Sequence, residues 1–159
     1  MAISLRNRQR RVRIETKWLR SLGEKALSRL MRESADCSVM VVDDATMAVL
    51  NQTYRGVSGP TDVLAFPMTE GRFGRLSADL LGDVVISAET AERQAREAGH
   101  DLRDELAHLL VHGILHLVGY DHGTTQERQR MWRRQRAILA ACGNDAAAGG
   151  RRVETARSR

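Results

Sequence analysis

Apolar residues recur along this chain with two alternating periods, one typical of helices and one typical of strands. In residues 14–31 they fall every three or four positions, which predicts an amphipathic helix. Residues 37–42 form a short β-prone run, CSVMVV, and predict a strand. Ahead of both, Ile3 and Leu5 alternate with polar residues, so we expect an edge strand within residues 1–13.

Segments with the period of helices and segments with the period of strands continue to alternate up to residue 141. Asp44 is placed to cap a helix that runs to about residue 53, and Met47, Leu50 and Val49 are its candidate inward positions. Residues 68–79 show no period and are expected to be irregular. Further strands are predicted over 61–66 and 80–87, and further helices over 88–98, 102–118 and 125–141.

Residues that start or stop helices support the last three helices. Ser87 can cap the first of them, and Asp101 stands at the start of the second. Gly119 follows the end of the second helix, where glycine most easily adopts a left-handed cap, and Gly143 follows the third. The boundaries therefore agree with the apolar period.

Strands interleaved with helices predict an α/β fold of the mixed α+β kind, with helices packed against a small mixed sheet. A chain of 159 residues most often forms one domain, and a hydrophobic fraction of 42% is sufficient for its core. We expect that domain to span residues 1–143. Residues 144–159 lack periodicity and are expected to form a disordered basic tail.

The charge pattern changes this picture only locally. The formal net charge is +5, and arginine supplies nearly all of the 25 basic residues. Arginines cluster in residues 6–13 and again in residues 128–136. The planar guanidinium suits phosphate, so an anionic polymer is one candidate partner; an arginine-rich solvated surface is the alternative.

Cysteine usage and hydropathy indicate the compartment. The two cysteines, Cys37 and Cys142, are too few and too far apart for a disulfide framework, which fits a reducing environment. We find no apolar run of the roughly 20 residues that a membrane span requires, and no apolar core of signal-peptide length at the N-terminus. A cytoplasmic protein without a membrane partner is therefore expected.

The segment HGILHLVGYDH, residues 112–122, carries the strongest chemical signal. His112 and His116 are four residues apart and share one face of the predicted helix, where both could bind a single metal ion. Gly119 lets the chain reverse, so His122 can reach the same ion from another side. Packed or capping histidines are the alternative, but the spacing and the turn glycine match the metzincin zinc-protease pattern.

Two neighbours of these ligands qualify that chemistry. His108 lies near the same helix face as His112 and is expected to support a ligand or simply to pack. Gly113 occupies the position at which HExxH proteases carry their glutamate general base, so the usual route of proteolysis lacks its central group. Three ligands with an open fourth position favour a catalytic over a structural zinc site.

HGILHLVGYDH resembles the signature of the YbeY family of bacterial ribosomal-RNA maturation endoribonucleases. The resemblance extends over nearly all of residues 37–143, and MWRRQRAIL, residues 131–139, resembles the closing helix of the family more loosely. Matching segments follow in order: NQTYRG (51–56), PTDVLAFP (60–67), LLGDVVIS (80–87) and AHLLVHG (107–113).

This resemblance implies a zinc ion on His112, His116 and His122, and a functionally required arginine at Arg55. Physically, Arg55 could bind the scissile phosphate and stabilise the charge that develops on it; a salt bridge that holds the following loop is the alternative. Asp62 and Asp83 could orient a ligand histidine or merely support a strand. The family commonly has serine at the position of Ala65, so Ala65 receives no catalytic part.

The principal hypothesis is a single-strand-specific, zinc-dependent endoribonuclease of ribosomal-RNA processing and ribosome quality control. In this hypothesis, His112 and Arg55 are the catalytic residues, and the resemblance implies the small ribosomal subunit and its associated factors as partners. Two alternatives remain open from the sequence. One is a metal hydrolase of another substrate such as peptide, and the other is a non-enzymatic assembly factor with a structural zinc.

Overall fold

Helices and strands alternate along the chain in the order that the apolar pattern predicts. The computed structural model describes residues 2–68 and 80–143, which form a mixed α+β fold. The elements are β1 (Ala2–Asn7), α1 (Thr16–Arg29), β2 (Asp36–Val42), α2 (Asp44–Arg55), β3 (Val63–Pro67), β4 (Leu80–Ser87), α3 (Ala88–Ala98), α4 (Leu102–Leu117) and α5 (Thr125–Ala141).

The four strands form one sheet in the order β1-β2-β4-β3. β1, β2 and β4 are parallel, whereas β3 runs antiparallel to β4 along the far edge. In the register, Val39 of β2 and Ala65 of β3 both pair with Val84 of β4. The prediction that β1 is an edge strand is confirmed, because β1 pairs with β2 alone among the described strands.

The larger hydrophobic core lies between one face of the sheet and the helices α1 and α4. Alternate strand residues such as Val39, Val84 and Val63 point into it, because successive side chains of a strand face opposite sides. From α4, Leu110 and Ile114 are fully buried. Burying one such side chain stabilises the fold by about 1.5–3 kcal/mol, so this core fixes the position of α4.

The opposite face of the sheet carries a smaller core. Val42, Leu64 and Val85 meet Met47 of α2 there, and Leu50 packs against them. The sheet thus separates α2 from α4. Val49, a candidate inward position, is 63% exposed, so that prediction is wrong: the helix turns this side chain toward solvent.

The N-terminus of α2 corrects another prediction. The cap is Asp43, whose extended backbone precedes the helix and whose carboxylate accepts from the N–H of Thr46 at 2.8 Å. Asp44 is already helical, and its Oδ1 instead accepts from the hydroxyls of Ser87 and Thr90, each at 2.6 Å. The predicted cap at Ser87 is confirmed, since its hydroxyl accepts from the N–H of Thr90 at 3.3 Å.

Two predictions fall mostly or wholly outside the described residues. Of the irregular segment 68–79, only Met68 is described, and it lies outside any helix or strand. The tail 144–159 is not described at all. Both cysteines are free, as expected: Cys37 is buried and Cys142 is half-buried. None of the described helices is both long enough and apolar enough to cross a membrane.

Candidate metal centre

The end of α4 and the turn after it bring three histidines together. His112 and His116 lie one helical turn apart on α4, with ring centroids separated by 5.0 Å. The chain then reverses, and the ring of His122 comes within 4.8 Å of His116 and 5.9 Å of His112. The structure therefore assembles the three residues that the sequence singled out.

The turn itself is held by backbone geometry and one carboxylate. Gly119 has φ +106°, a left-handed conformation that glycine adopts without a steric penalty. The N–H of Tyr120 donates to the carbonyl of Leu115 at 3.0 Å, which closes the end of α4. Asp121 accepts from the N–H of His122 at 2.7 Å, so it orients the turn at His122.

The nitrogen atoms of this cluster are suited to a metal ion. One ring nitrogen from each of His112, His116 and His122 lies within 4.8 Å of the others. The Nε2 atoms of His116 and His122 are buried, and that of His122 makes no hydrogen bond to the described part of the chain. A buried polar atom without a partner is costly, and a shared metal ion would satisfy it.

Gln135 of α5 fixes the orientation of His112. Its Oε1 lies 3.1 Å from Nδ1 of His112, and its Nε2 lies 3.0 Å from Nε2 of His108. An amide oxygen can only accept, so Nδ1 of His112 carries the proton and Nε2 keeps the lone pair. The side chain of Gln135 therefore selects the tautomer that can bind a metal through Nε2.

His108 thus supports His112 rather than joining the three converging histidines. It contacts the amide that holds His112, and it is not among the three histidines whose nitrogens converge. Burial, followed by the neighbouring imidazoles of His116 and His108, lowers the pKa of His112 to about 3. His112 is consequently neutral at physiological pH, as a metal ligand must be.

Gly113 owes its place to packing. A Cβ atom at this position would lie 2.8 Å from Cγ1 and 3.1 Å from Cγ2 of Val84, and 3.4 Å from Cγ2 of Val63. α4 lies so close to β3 and β4 here that a glutamate has no room and would point at the sheet. The glutamate of the protease motif is therefore excluded by the fold itself.

Arg55 comes from α2, a different element from the helix that carries His112 and His116. It is the last residue of α2, on the side of the sheet that carries the smaller core. Its Nη1 donates to Oδ1 of Asn51 at 3.1 Å, and Nδ2 of Asn51 donates to the carbonyl of Gly59 at 2.8 Å. Asn51 is almost fully buried, so one amide anchors both Arg55 and the loop that follows it.

The two aspartates that the sequence proposed as supports lie in different surroundings. Asp62 is buried, and its Oδ1 accepts from the N–H of Val63 at 2.7 Å at the start of β3, whereas Asp83 is exposed. His100, just before α4, lies half-buried, with its Nε2 2.7 Å from Oε1 of Glu105.

Two functional supports, Gln135 and Asn51, escaped sequence reasoning. Both are polar residues at inward positions of otherwise apolar helix faces: Gln135 lies beside Met131 and Ile138, and Asn51 follows Met47 by one turn. Both are nearly inaccessible to solvent. A buried polar side chain must find hydrogen-bond partners, so this pattern was the signal that could have identified them.

The chain is similar in sequence to the family described as Endoribonuclease YbeY, whose model matches residues 4–143. Endoribonuclease YbeY of Geobacter sulfurreducens is 42% identical over 146 residues, which cover 91% of this chain and 97% of that protein. Its namesake in Aquifex aeolicus is 48% identical over 132 residues, 82% of this chain and 83% of that protein. The solution structure of TM1509 from Thermotoga maritima shares the fold, with a TM-score of 0.59 at 24% identity over 96% of this chain and 99% of that one.

Proposed function

Because this chain belongs to the Endoribonuclease YbeY family, we propose that it is a zinc-dependent endoribonuclease that cuts single-stranded RNA. The proposed setting is the processing of small-subunit ribosomal RNA and ribosome quality control, in the cytoplasm and in contact with the small ribosomal subunit and its associated factors. The observation that carries the proposal is the set of converging nitrogens on His112, His116 and His122, with a buried Nε2 on His122.

The three histidines would hold the zinc ion. Gln135 keeps the proton of His112 on Nδ1, and burial keeps the ring neutral, so His112 presents a lone pair in the resting protein. When bound, zinc supplies Lewis acidity, which acidifies an adjacent water and polarises a phosphoryl oxygen. Imidazole ligands also suit other transition metals, so metal analysis is part of the test.

Arg55 is proposed to bind the RNA phosphate. Its guanidinium is permanently charged and offers a planar fork of donors to a phosphate. Asn51 holds one of these donors, which restricts the side chain before substrate arrives. A restricted arginine loses less entropy on binding, and its charge can stabilise the negative charge that develops in the transition state.

A peptide substrate is not supported by this site. The ligand spacing resembles that of zinc proteases, but the space that their glutamate would need is filled by Val84. A ribosome-assembly factor with a purely structural zinc remains a distinct alternative. It predicts bound metal without cleavage, whereas the nuclease predicts both.

The test combines metal analysis of the purified protein with cleavage of a single-stranded RNA. Wild type should carry close to one equivalent of zinc and cut the RNA, whereas Arg55→Ala should keep the zinc and lose cleavage by about 10²–10³-fold. Arg96→Ala is the matched control, because Arg96 is likewise an arginine near the end of a helix, and within the described residues its ion pair is with Glu92 across one turn. Bound zinc with no wild-type cleavage would favour the structural alternative.

The ends of the products distinguish two routes of attack. A 2′,3′-cyclic phosphate would identify the ribose 2′-hydroxyl as the nucleophile, whereas a linear phosphate formed without a cyclic intermediate would identify water.

A further inference from the structure

The arginines of α5 differ from several arginines elsewhere in the protein in their ion-pair partners. Four arginines outside α5 form ion pairs within the described part of the chain: Arg11 with Glu89, Arg93 with Asp44, Arg96 with Glu92 and Arg103 with Glu15. The five arginines of α5 form no ion pair with any residue of 2–68 or 80–143. They are Arg128, Arg130, Arg133, Arg134 and Arg136.

The polar contacts of the α5 arginines leave their charge uncompensated. Arg134 donates to the backbone carbonyl of Arg29 at 2.9 Å, and Arg128 lies 3.5 Å from the carbonyl of His122. The one acidic residue of the helix, Glu127, accepts from the N–H of Thr124 in a capping box and so faces the start of the helix. The outer side of α5 therefore presents concentrated positive charge.

Three residues of α5 form a stripe that begins at the histidine site. Arg128, Trp132 and Arg136 follow one another at four-residue intervals, so they occupy successive turns on one flank of the helix and span about 12 Å. Arg134 lies on the other flank, toward α1. The guanidinium of Arg128 lies close to the backbone carbonyl of His122, so the stripe starts at the turn that carries this histidine.

Trp132 at the centre of this stripe is exposed to an unusual degree. It retains 37% of its accessible surface, and the guanidinium of Arg136 lies 4.7 Å above its ring. The chain's other tryptophan, Trp18, is stacked similarly with Arg103 at 4.5 Å, but there Glu15 neutralises the arginine. Only the stack on α5 combines an exposed ring with an unneutralised cation among the described residues.

We propose that Arg128, Trp132 and Arg136, the α5 stripe, bind the RNA strand where it leaves the histidine site. Trp132 stacks against a base, and the two arginines contact phosphates. An exposed aromatic ring between arginines that form no ion pair within the described residues matches the chemistry with which proteins hold single strands without reading their sequence. This inference rests on the proposed function, since the strand that binds along α5 is the RNA strand that would be cut.

The length of the stripe sets a dependence on substrate length. The stripe begins at the turn that carries His122 and extends about 12 Å along α5. It can therefore contact only nucleotides that lie beyond the cleaved bond. An RNA of about three nucleotides should be indifferent to the stripe, whereas one of about twelve, within the span of known single-strand sites, should depend on it. In the longer RNA, the stripe should act on KM rather than on kcat.

The test uses the triple variant Arg128→Gln/Trp132→Leu/Arg136→Gln in the full-length, zinc-loaded protein. The matched control, Arg93→Gln/Arg96→Gln, removes the same charge from α3. For the RNA of about twelve nucleotides, the triple variant should raise KM by about tenfold or more, from loss of the stacked base. The slope of log affinity for RNA against log salt concentration should also become shallower by about 1.4, because two phosphate contacts are lost.

A second measurement isolates Trp132. In a Trp18→Phe background, Trp132 is the only tryptophan, and a single-stranded oligodeoxythymidine of about twelve nucleotides should quench its fluorescence. Stacking does not need a 2′-hydroxyl, so this DNA probe reports the stripe independently of cleavage.

The outcomes separate the stripe from the nuclease. Wild type that cuts no RNA while the oligonucleotide quenches Trp132 would refute the proposed function and leave the strand-binding stripe in place. Normal cleavage of both RNA lengths by the triple variant would refute the stripe alone. If the triple variant and the α3 control lose the same affinity for the longer RNA, net charge alone accounts for the effect. If polyglutamate competes for the protein as well as RNA does, the surface binds any anion. Either result would overturn the proposal.

Discussion

A buried side-chain amide holds His112 in the histidine cluster, and another holds Arg55. The two amides lie at different distances in the sequence from the residues that they hold. Asn51 holds Arg55 across one turn of the same helix. Gln135 reaches His112 from another helix, 23 residues further along the chain. The arginine support therefore forms whenever α2 forms, whereas the histidine support exists only after α5 has packed against α4.

The two regions also differ in the core on which they depend. α4 lies in the larger core between the sheet and the helices, while α2 packs against the smaller core on the opposite face. Disturbance of one face should therefore leave the chemistry of the other face measurable. This independence can be tested by single substitutions, which should separate metal binding from phosphate binding.

The largest expected effect is on the histidine side alone. His116→Ala removes one of three ligands, so zinc content should fall close to zero and cleavage should be lost. Asn51 and Arg55 should be untouched, so the variant should retain wild-type affinity for a short RNA. Metal analysis and RNA binding on the same sample check this prediction, and retention of a full equivalent of zinc would contradict it.

Gly113→Ala tests how closely α4 lies on the sheet. Alanine normally favours a helix over glycine by about 1 kcal/mol, but here the new Cβ meets Val84 at 2.8 Å. We expect a net destabilisation of about 1–3 kcal/mol, measured by urea unfolding. Adding Val84→Ala should recover part of the loss that Gly113→Ala causes, and a more stable single variant would show that the sheet yields easily.

Gln135→Met should weaken zinc binding by about 10–100-fold, because Nδ1 of His112 loses the acceptor that fixes its proton. Gln135→Glu retains an acceptor and should bind zinc nearly as well as wild type. Competition with a chromogenic chelator measures both affinities. If both variants lose affinity equally, packing of the side chain rather than the tautomer is responsible.

Asn51→Ala should reduce kcat/KM for RNA while zinc content stays unchanged. The substitution releases Arg55 and leaves the carbonyl of Gly59 without its donor, which costs about 1–3 kcal/mol of stability. Steady-state cleavage and thermal unfolding together measure the two effects. A loss of zinc in this variant would show that the two regions are coupled after all.

The smallest effect concerns the pH dependence of stability. Burial acts to raise the pKa of Asp44, but hydrogen bonds from Ser87, Thr90 and Arg93 outweigh it and hold the pKa below its usual value. A lowered folded pKa contributes stability above the unfolded pKa of about 3.9, and this stability is lost as the pH falls through the folded value. Asp44→Asn should therefore flatten the decline in stability below about pH 4, as acid titration of unfolding would show.

Local signals predicted most of the fold, and long-range contacts explain the rest. The cap at Ser87, the turn at Gly119 and the spacing of the histidines are all encoded within a few residues, and the structure confirms each of them. Whether Asp43 or Asp44 caps α2 depends on where the backbone leaves the extended conformation, since both side chains are chemically suited to the cap.

The sequence predicted those parts of the candidate site whose residues lie close together along the chain. His112, His116 and His122 stand in one motif, but the role of His108 depends on Gln135, which lies in another helix. The sequence also shows that Gly113 lacks a catalytic side chain without showing why. The reason lies in the distance between α4 and Val84, which only the packed structure contains.

The contact between Gly113 and the sheet also limits the evolutionary paths open to this scaffold. A single substitution to glutamate would create the protease motif in the sequence, yet the folded protein could not accept it. Val84 and Val63 would have to shrink first, and each such step would weaken the core before any new activity existed to be selected. Chemistry that needs a side chain at this position would therefore first require a looser contact between α4 and the sheet.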